Sequence, residues 1–194
     1  MAGNDQEQRV WGLGIRILHW LTLVVVGAQV AMAFALMGGP GMATMLWLPL
    51  HMSLGVTILG IVLIRIILRA AGSAPARKVS PFVRQLSSFI HASLYAAILA
   101  VIITGWLAYR PTPLMPPARL FAAFPMPIAP DLVGIQAREF AFIHRAIVWV
   151  FVALIGVHTA AALVHSLVLR DGTLGGMLFG RKARQTTERA PQER

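Results

Sequence analysis

The chain has 194 residues, of which 57% are hydrophobic and only 12% charged, with a mean hydropathy of +0.72; that balance excludes an ordinary soluble domain. With no cysteine it can form no disulfide, no iron–sulfur cluster, no thiolate bond to iron and no C-x-x-C-H attachment. The net charge of +10 sits at the flanks of apolar blocks, so it reads as orientation in a membrane, and nucleic acid is not an expected partner.

The polar N-terminus leads into a first apolar block, Ile15–Leu36, which is too long for a signal-peptide core and reads as a retained span. Gly38-Gly39-Pro40-Gly41 breaks the chain before the second block, Leu46–Leu68. A polar, basic connection, Ala70–Arg84, with Pro75 and Pro81, precedes the third block, Leu86–Tyr109. The connection Arg110–Arg138 holds seven prolines, so it is not one regular helix. Its apolar content places it on the membrane surface or over a cofactor. The fourth block is Phe140–Leu169, and from Arg181 the tail is short, charged and expected to be disordered.

Each block reaches the ~20 residues needed to cross the hydrocarbon core, and in lipid each must be a helix. The expected fold is an all-α membrane protein, a bundle of four transmembrane helices over residues 1–180 with a tail at 181–194. Four spans put both termini on one side. That side carries Arg9, Arg16, Arg65, Arg69, Arg77, Lys78, Arg84, Arg170, Arg181, Lys182, Arg184, Arg189 and Arg194, against Arg110, Arg119, Arg138 and Arg145 opposite. The excess predicts cytoplasmic termini in a bacterial inner membrane, with the Pro-rich loop facing the periplasm.

All six histidines fall inside or at the edge of a span, and no carboxylate lies well inside any span to partner them. His51 and His144 lie in the outer halves of the second and fourth blocks. His19, His91, His158 and His165 lie in inner halves. From His144 to His158 a helix turns about 1400°, roughly 40° short of four full turns, and rises about 21 Å. Both rings leave one face at two depths, which suits two haems stacked in the membrane. Two axial imidazoles on each iron carry electrons rather than bind oxygen. Zinc would need a more compact ligand set. The inner partner is open on depth alone, which matches His19 with His165. The ~31 Å rise from His144 to His165, however, stretches electron transfer across the whole core. The shorter spacing to His158 is more workable, with helix tilt absorbing the mismatch to His19.

Several short motifs occur in order at the helix ends: Arg16-x-x-His19-Trp20, His51-x-Ser53-x-Gly55, Arg65-x-x-x-Arg69, His91, Gly156-Val157-His158 through His165, and Asp171-Gly172-Thr173-Leu174. Over about residues 10–180 the chain resembles the bacterial cytochrome b561 family. These are four-helix di-haem membrane proteins related to the cytochrome b subunits of formate dehydrogenase and nickel–iron hydrogenase. The resemblance implies two haem b groups, the outer on His51 and His144 and the inner on His19 and His158. Arg16, Arg65, Arg69 and Arg145 then stand where haem carboxylates could be met, or serve as membrane anchors. Gly55, Gly105 and Gly156 leave room for a flat macrocycle or for close helix packing. His91 and His165 remain for a quinone at the inner end, as bonding or proton-delivering groups.

The expected work is electron exchange between the quinone pool and a periplasmic donor. One form, implied by the resemblance to small members of that family, is a stand-alone enzyme that oxidises superoxide and reduces ubiquinone; the short length and lack of an extended soluble segment favour it. The other is a cytochrome b subunit that anchors a periplasmic dehydrogenase or c-type cytochrome as its redox partner protein. A small transporter would leave the paired histidine depths unexplained.

Overall fold

The computed structural model describes residues 11–37, 42–72, 80–112, 117–132 and 134–178. Among the described residues, four helices are long and apolar enough to cross a membrane. They are α1 (Leu13–Leu36), α2 (Met42–Ala71), α3 (Pro81–Ala108) and α4 (Ala137–Leu163). A π-helical turn, Val164–Val168, extends α4, and a short helix, α5 (Thr173–Leu178), follows. The expected membrane bundle is therefore present. The Gly38–Gly41 break and the tail beyond Arg181 lie outside the described residues.

The boundaries differ from the sequence reading by a few residues at several ends, α2 running from Met42 to Ala71 and α4 starting at Ala137, and most at the start of α3. Residues 81–84, expected in a polar connection, are the first turn of α3. Ser80 caps it, its hydroxyl accepting from the Val83 N–H at 3.3 Å, and Pro81 takes the first helical position, where a missing N–H is harmless. At α4 a capping box does the same work: the Gln136 side chain and Glu139 each satisfy the other's free N–H.

The loop between α3 and α4 marks the outer end of the bundle; α5 and the start of α1 mark the inner end. That loop is not helical over its described residues. It forms a two-residue hairpin, β1 (Arg119–Leu120) with β2 (Phe124–Pro125), antiparallel, with Leu120 opposite Phe124. Phe121 and Ala122 turn it with φ of 52° and 58°. Side chains from the spans pin it down. The Ser53 hydroxyl accepts from Phe121 N–H at 2.9 Å, the Tyr109 hydroxyl from Ala118 N–H at 2.6 Å, and Trp106 Nε1 donates to the Pro127 carbonyl at 2.8 Å. Met52, Tyr109 and Ala118 bury together beneath it.

Packing divides the bundle in two. α1 lies closely on α2 and α3 closely on α4, while the two hairpins touch each other sparsely, chiefly α2 on α3. What joins them is a small apolar cluster of Val26, Ile58, Val62, Ile98 and Phe151, one or two residues from each span. Four of these follow a histidine of their own helix by seven residues: Val26 after His19, Ile58 after His51, Ile98 after His91 and Phe151 after His144. A step of seven turns about 700° and rises about 10.5 Å, so each sits on its histidine's face two turns away. Phe151 is also seven residues before His158. The cluster is an apolar septum at mid-depth with histidines on both sides.

Candidate functional site

The histidines meet in two layers across the division between hairpins. In the outer layer His51 of α2 faces His144 of α4, with ring centroids 6.3 Å apart and planes at 78°. In the inner layer His19 of α1 faces His158 of α4, also at 6.3 Å, with planes at 68°. His91 of α3 approaches the same His158 at 5.2 Å.

The separations fit one metal between each pair. With nitrogen–metal bonds of about 2.0–2.1 Å, two imidazoles on opposite sides of one ion have ring centroids about 6.2–6.4 Å apart. The His91–His158 spacing is too short for that arrangement. Among the described residues no three His, Asp or Glu side chains gather as a metal-binding group. Iron ringed by porphyrin nitrogens needs only two more ligands, so paired histidines suffice for it.

Hydrogen bonds set the rings. His144 Nδ1 lies 2.9 Å from the Val101 carbonyl, with the Thr104 hydroxyl at 3.4 Å, so this nitrogen carries the proton and Nε2 is left with a free lone pair. Gly105 lets the ring lie there: a Cβ on it would come 3.0 Å from Cε1 of His144. The opposing His51 has a buried Nδ1 without a partner among the described residues, while its carbonyl accepts from Gln29 Nε2 at 2.8 Å. His91 Nδ1 donates to the Ser87 carbonyl at 2.6 Å.

His19 is held differently. Arg65 Nη2 lies 3.3 Å from His19 Nδ1, and Arg65 Nη1 donates to the Thr22 hydroxyl at 3.2 Å. The guanidinium also stands 5.8 Å above the Tyr95 ring, and its buried Nε has no hydrogen-bonding partner among the described residues. A neutral imidazole that ligates through Nε2 keeps its proton on Nδ1, and two N–H groups cannot bond to each other. Were His19 to hold a metal through Nε2, its Nδ1 would carry the proton and the Arg65 contact would have to give way.

The other predicted residues fall as follows. Arg16 is half-buried at the inner end, donates to the Leu178 carbonyl at 3.4 Å, and has a buried Nε without a partner among the described residues. Arg69 stacks on Trp11, 5.4 Å from the ring centre. Arg145 is exposed and, among the described residues, has no hydrogen-bonding partner; it lies beside His144 in sequence but about 100° round the helix. Gly55 faces Gln29 at ordinary contact distance, and Gly156 faces open space. Of the outer basic groups, Arg110 is paired with Asp131 at 3.0 Å and Arg119 with the carbonyls of Ala122 and Ala123, while Arg138 is exposed like Arg145.

His165 stands apart from the layers. Its Nδ1 donates to Asp171 Oδ2 at 2.6 Å. Partial burial alone raises the Asp171 carboxyl, but hydrogen bonds from the Thr173 hydroxyl and N–H, together with His165, hold it below its ordinary value. The sequence reading names Asp171 in the Asp171-Gly172-Thr173-Leu174 motif but gives it no role, because it lies beyond the span. It passed over Gln29, Thr22 and Tyr95, although a polar side chain inside an apolar span is itself a signal of a site.

A comparison with curated proteins finds no match. Residues 10–180 match the sequence profile of prokaryotic cytochrome b561. With four membrane-length helices and histidines paired across them, the chain belongs to the prokaryotic cytochrome b561 family, membrane b-type cytochromes that bind haem b and work in electron transfer.

Proposed function

We propose that the chain holds two b haems and passes electrons between a donor at the periplasmic face and quinone, with superoxide as donor and ubiquinone as acceptor. The reading rests on one observation, the two cross-bundle histidine pairs with equal 6.3 Å separations. His51 and His144 are the outer ligands, and His19 and His158 the inner. Bound haem supplies a one-electron carrier at each layer. The chain's residues do the rest. Val101 and Thr104 hold His144 in the ligating tautomer. Arg65, released from His19, and Arg16 meet carboxylates at the inner layer, and Arg145 is the basic group nearest in sequence to the outer one. Gly105 makes room for the His144 ring, while Gly55 and Gly156 keep the helix surfaces low beside the layers. The septum around Phe151 keeps water from joining the two halves. His91 and His165 serve quinone at the inner end.

In the reaction two superoxide ions give up one electron each and become dioxygen; ubiquinone takes both electrons and two protons and becomes ubiquinol. Exposed Arg138 and Arg145 attract the anion to the outer face. In this reading both termini lie in the cytoplasm of a bacterial inner membrane, which the excess of Lys and Arg on the terminal side supports.

The test is made on the purified single chain in detergent. A pyridine haemochrome assay is expected to give about two haems per chain, by the count of two axial imidazoles for each iron. His51→Ala and His144→Ala each remove the outer haem alone, and His19→Ala and His158→Ala the inner alone. Loss of a haem in His91→Ala with none lost in His19→Ala would reassign the inner ligand. Potassium superoxide added to the oxidised protein with a short-chain ubiquinone should yield ubiquinol with no second protein present.

A second reading is a cytochrome b subunit beneath a periplasmic dehydrogenase or c-type cytochrome. It is favoured by the hairpin tip, where Phe121 and Phe124 are 57% and 67% exposed. Haems that superoxide leaves oxidised, in a chain that purifies with a periplasmic redox protein, would select it.

A further inference from the structure

Among the described residues, the one inner-end histidine with a carboxylate partner is His165, and the chain goes to some trouble to bring that carboxylate to it. α4 passes into the π-helical turn Val164–Val168, a rare form that accompanies functional sites. Arg170 then adopts a left-handed φ of 49° and Gly172 one of 75°, which reverses the chain. A side chain in that region is strained, and arginine holds it here without glycine's freedom. The reversal lets Asp171 N–H donate to the His165 carbonyl at 3.2 Å and carries the carboxylate back to the ring. Both carboxylate oxygens are used: Oδ2 by His165 Nδ1, and Oδ1 by the Thr173 N–H and hydroxyl at the start of α5.

This arrangement leaves His165 one free nitrogen, Nε2, in a fixed ring. Its side chain keeps 26% of its surface exposed, so a ligand can reach it. α5, which begins two residues after Asp171, forms one wall of an apolar groove of about 400 Å³. Leu13, Ile17, Leu21 and Val24 of α1 form the other wall. Trp20 Nε1 holds the α5 end by donating to the Met177 carbonyl at 3.2 Å. A groove along a membrane helix suits the hydrocarbon tail of a lipid-soluble carrier; it is lined by Met177 and Leu178, at the other end of α5 from Asp171.

We infer that Asp171 is the positioning residue of the quinone site at the inner end, holding the His165 ring and its Nδ1 proton so that Nε2 meets the quinone oxygen. The inference rests on the proposal that His165 serves quinone, and adds the residue that fixes its tautomer. With Nδ1–H bound to the carboxylate, a neutral ring accepts the O–H of a quinol at Nε2. A protonated ring donates from Nε2 to a quinone carbonyl, and the same carboxylate steadies it. His91 lacks such a partner: its Nδ1 rests on a backbone carbonyl of its own helix.

A purely structural Asp171 would be the cap of α5, and serine caps nearly as well. Asp171→Ser therefore keeps the cap and removes the carboxylate, and Asp171→Asn keeps the shape and removes the charge. Two readouts are made on the full chain in detergent, with haem content and spectra as the check on folding. The first is ¹⁵N NMR of labelled histidine, which reads the His165 tautomer without turnover. The second is stopped-flow oxidation of dithionite-reduced protein by a short-chain ubiquinone. Both variants are expected to lose the fixed Nδ1–H tautomer and to raise the apparent KM for the quinone about tenfold, the scale of one lost hydrogen bond to a charged group. Asp171→Glu should restore most of the affinity. If His165→Ala raises KM while the Asn and Ser variants match the wild type, the assignment of Asp171 is overturned and the quinone site stands. If His165→Ala also leaves KM unchanged, both fall. Should the Ser variant lose haem, the Asn variant alone decides.

Discussion

His144 shows how much a single ring depends on neighbours that carry no charge. Its Nδ1 is fixed by a carbonyl of α3, and its edge rests on the bare Cα of Gly105. An added methyl there meets the ring at 3.0 Å, closer than nearly all real contacts, and the ring cannot retreat without losing the Val101 bond. Gly105→Ala is expected to cost about 1–3 kcal/mol of stability, the range for overpacking. It should also broaden or lower the outer-haem signal while the inner one stays unchanged. Redox titration followed by absorbance checks this; equal effects on both haems would refute it. Residue by residue, the histidines were legible in the sequence because ionisable groups are rare in apolar spans. The grip of Gly105 was not, because α3 and α4 meet only in the folded bundle. Nor was the place of Arg65 on His19, a contact between residues 46 positions apart.

At the scale of elements, the outer hairpin depends on Ser53. This hydroxyl is buried, donates to the Pro49 carbonyl at 2.7 Å and accepts from Phe121 N–H. Phe121 is itself in a left-handed conformation, so the tether holds a strained turn in place. Ser53→Ala should loosen the hairpin by about 1–2 kcal/mol, the worth of a hydrogen bond to a group left unpaired. Hydrogen exchange over residues 117–126 would rise about tenfold with the helices unaffected; unchanged exchange would show that apolar packing on Met52 and Tyr109 suffices. The prolines of this loop excluded a helix from the sequence alone. They did not disclose a hairpin, because its turn uses Phe121 and Ala122 rather than the glycine or asparagine such turns favour.

At the scale of the molecule, two close helical pairs face each other across histidine layers, and the septum around Phe151 joins them. Phe151 is 7% exposed and lies midway between His144 and His158. Phe151→Ala should lower stability by about 3 kcal/mol or more, as for other buried phenylalanines. It should also disturb both haem signals at once, where a histidine variant removes only one. A thermal melt and a haem spectrum of the same sample test this; loss confined to one layer would mean that the septum does not couple the halves. Orientation belongs to this scale too. A reporter fused after Arg194 should be active in the cytoplasm and silent in the periplasm, as the basic flanks require.

The sequence by itself determined the four spans, since a length of apolar chain in lipid has no alternative to a helix. It also determined the two depths at which histidines leave α4, since helical rise and turn follow from residue count alone. Only the tertiary structure decided which rings face one another. It put His19 and His158 at the same 6.3 Å as the outer pair and brought His91 too close to His158 to share a metal with it in that way. It also decided that Asp171, beyond the end of the span, returns to His165. Pairing depends on how helices pack and on single left-handed residues such as Arg170, and local sequence spacing does not encode either.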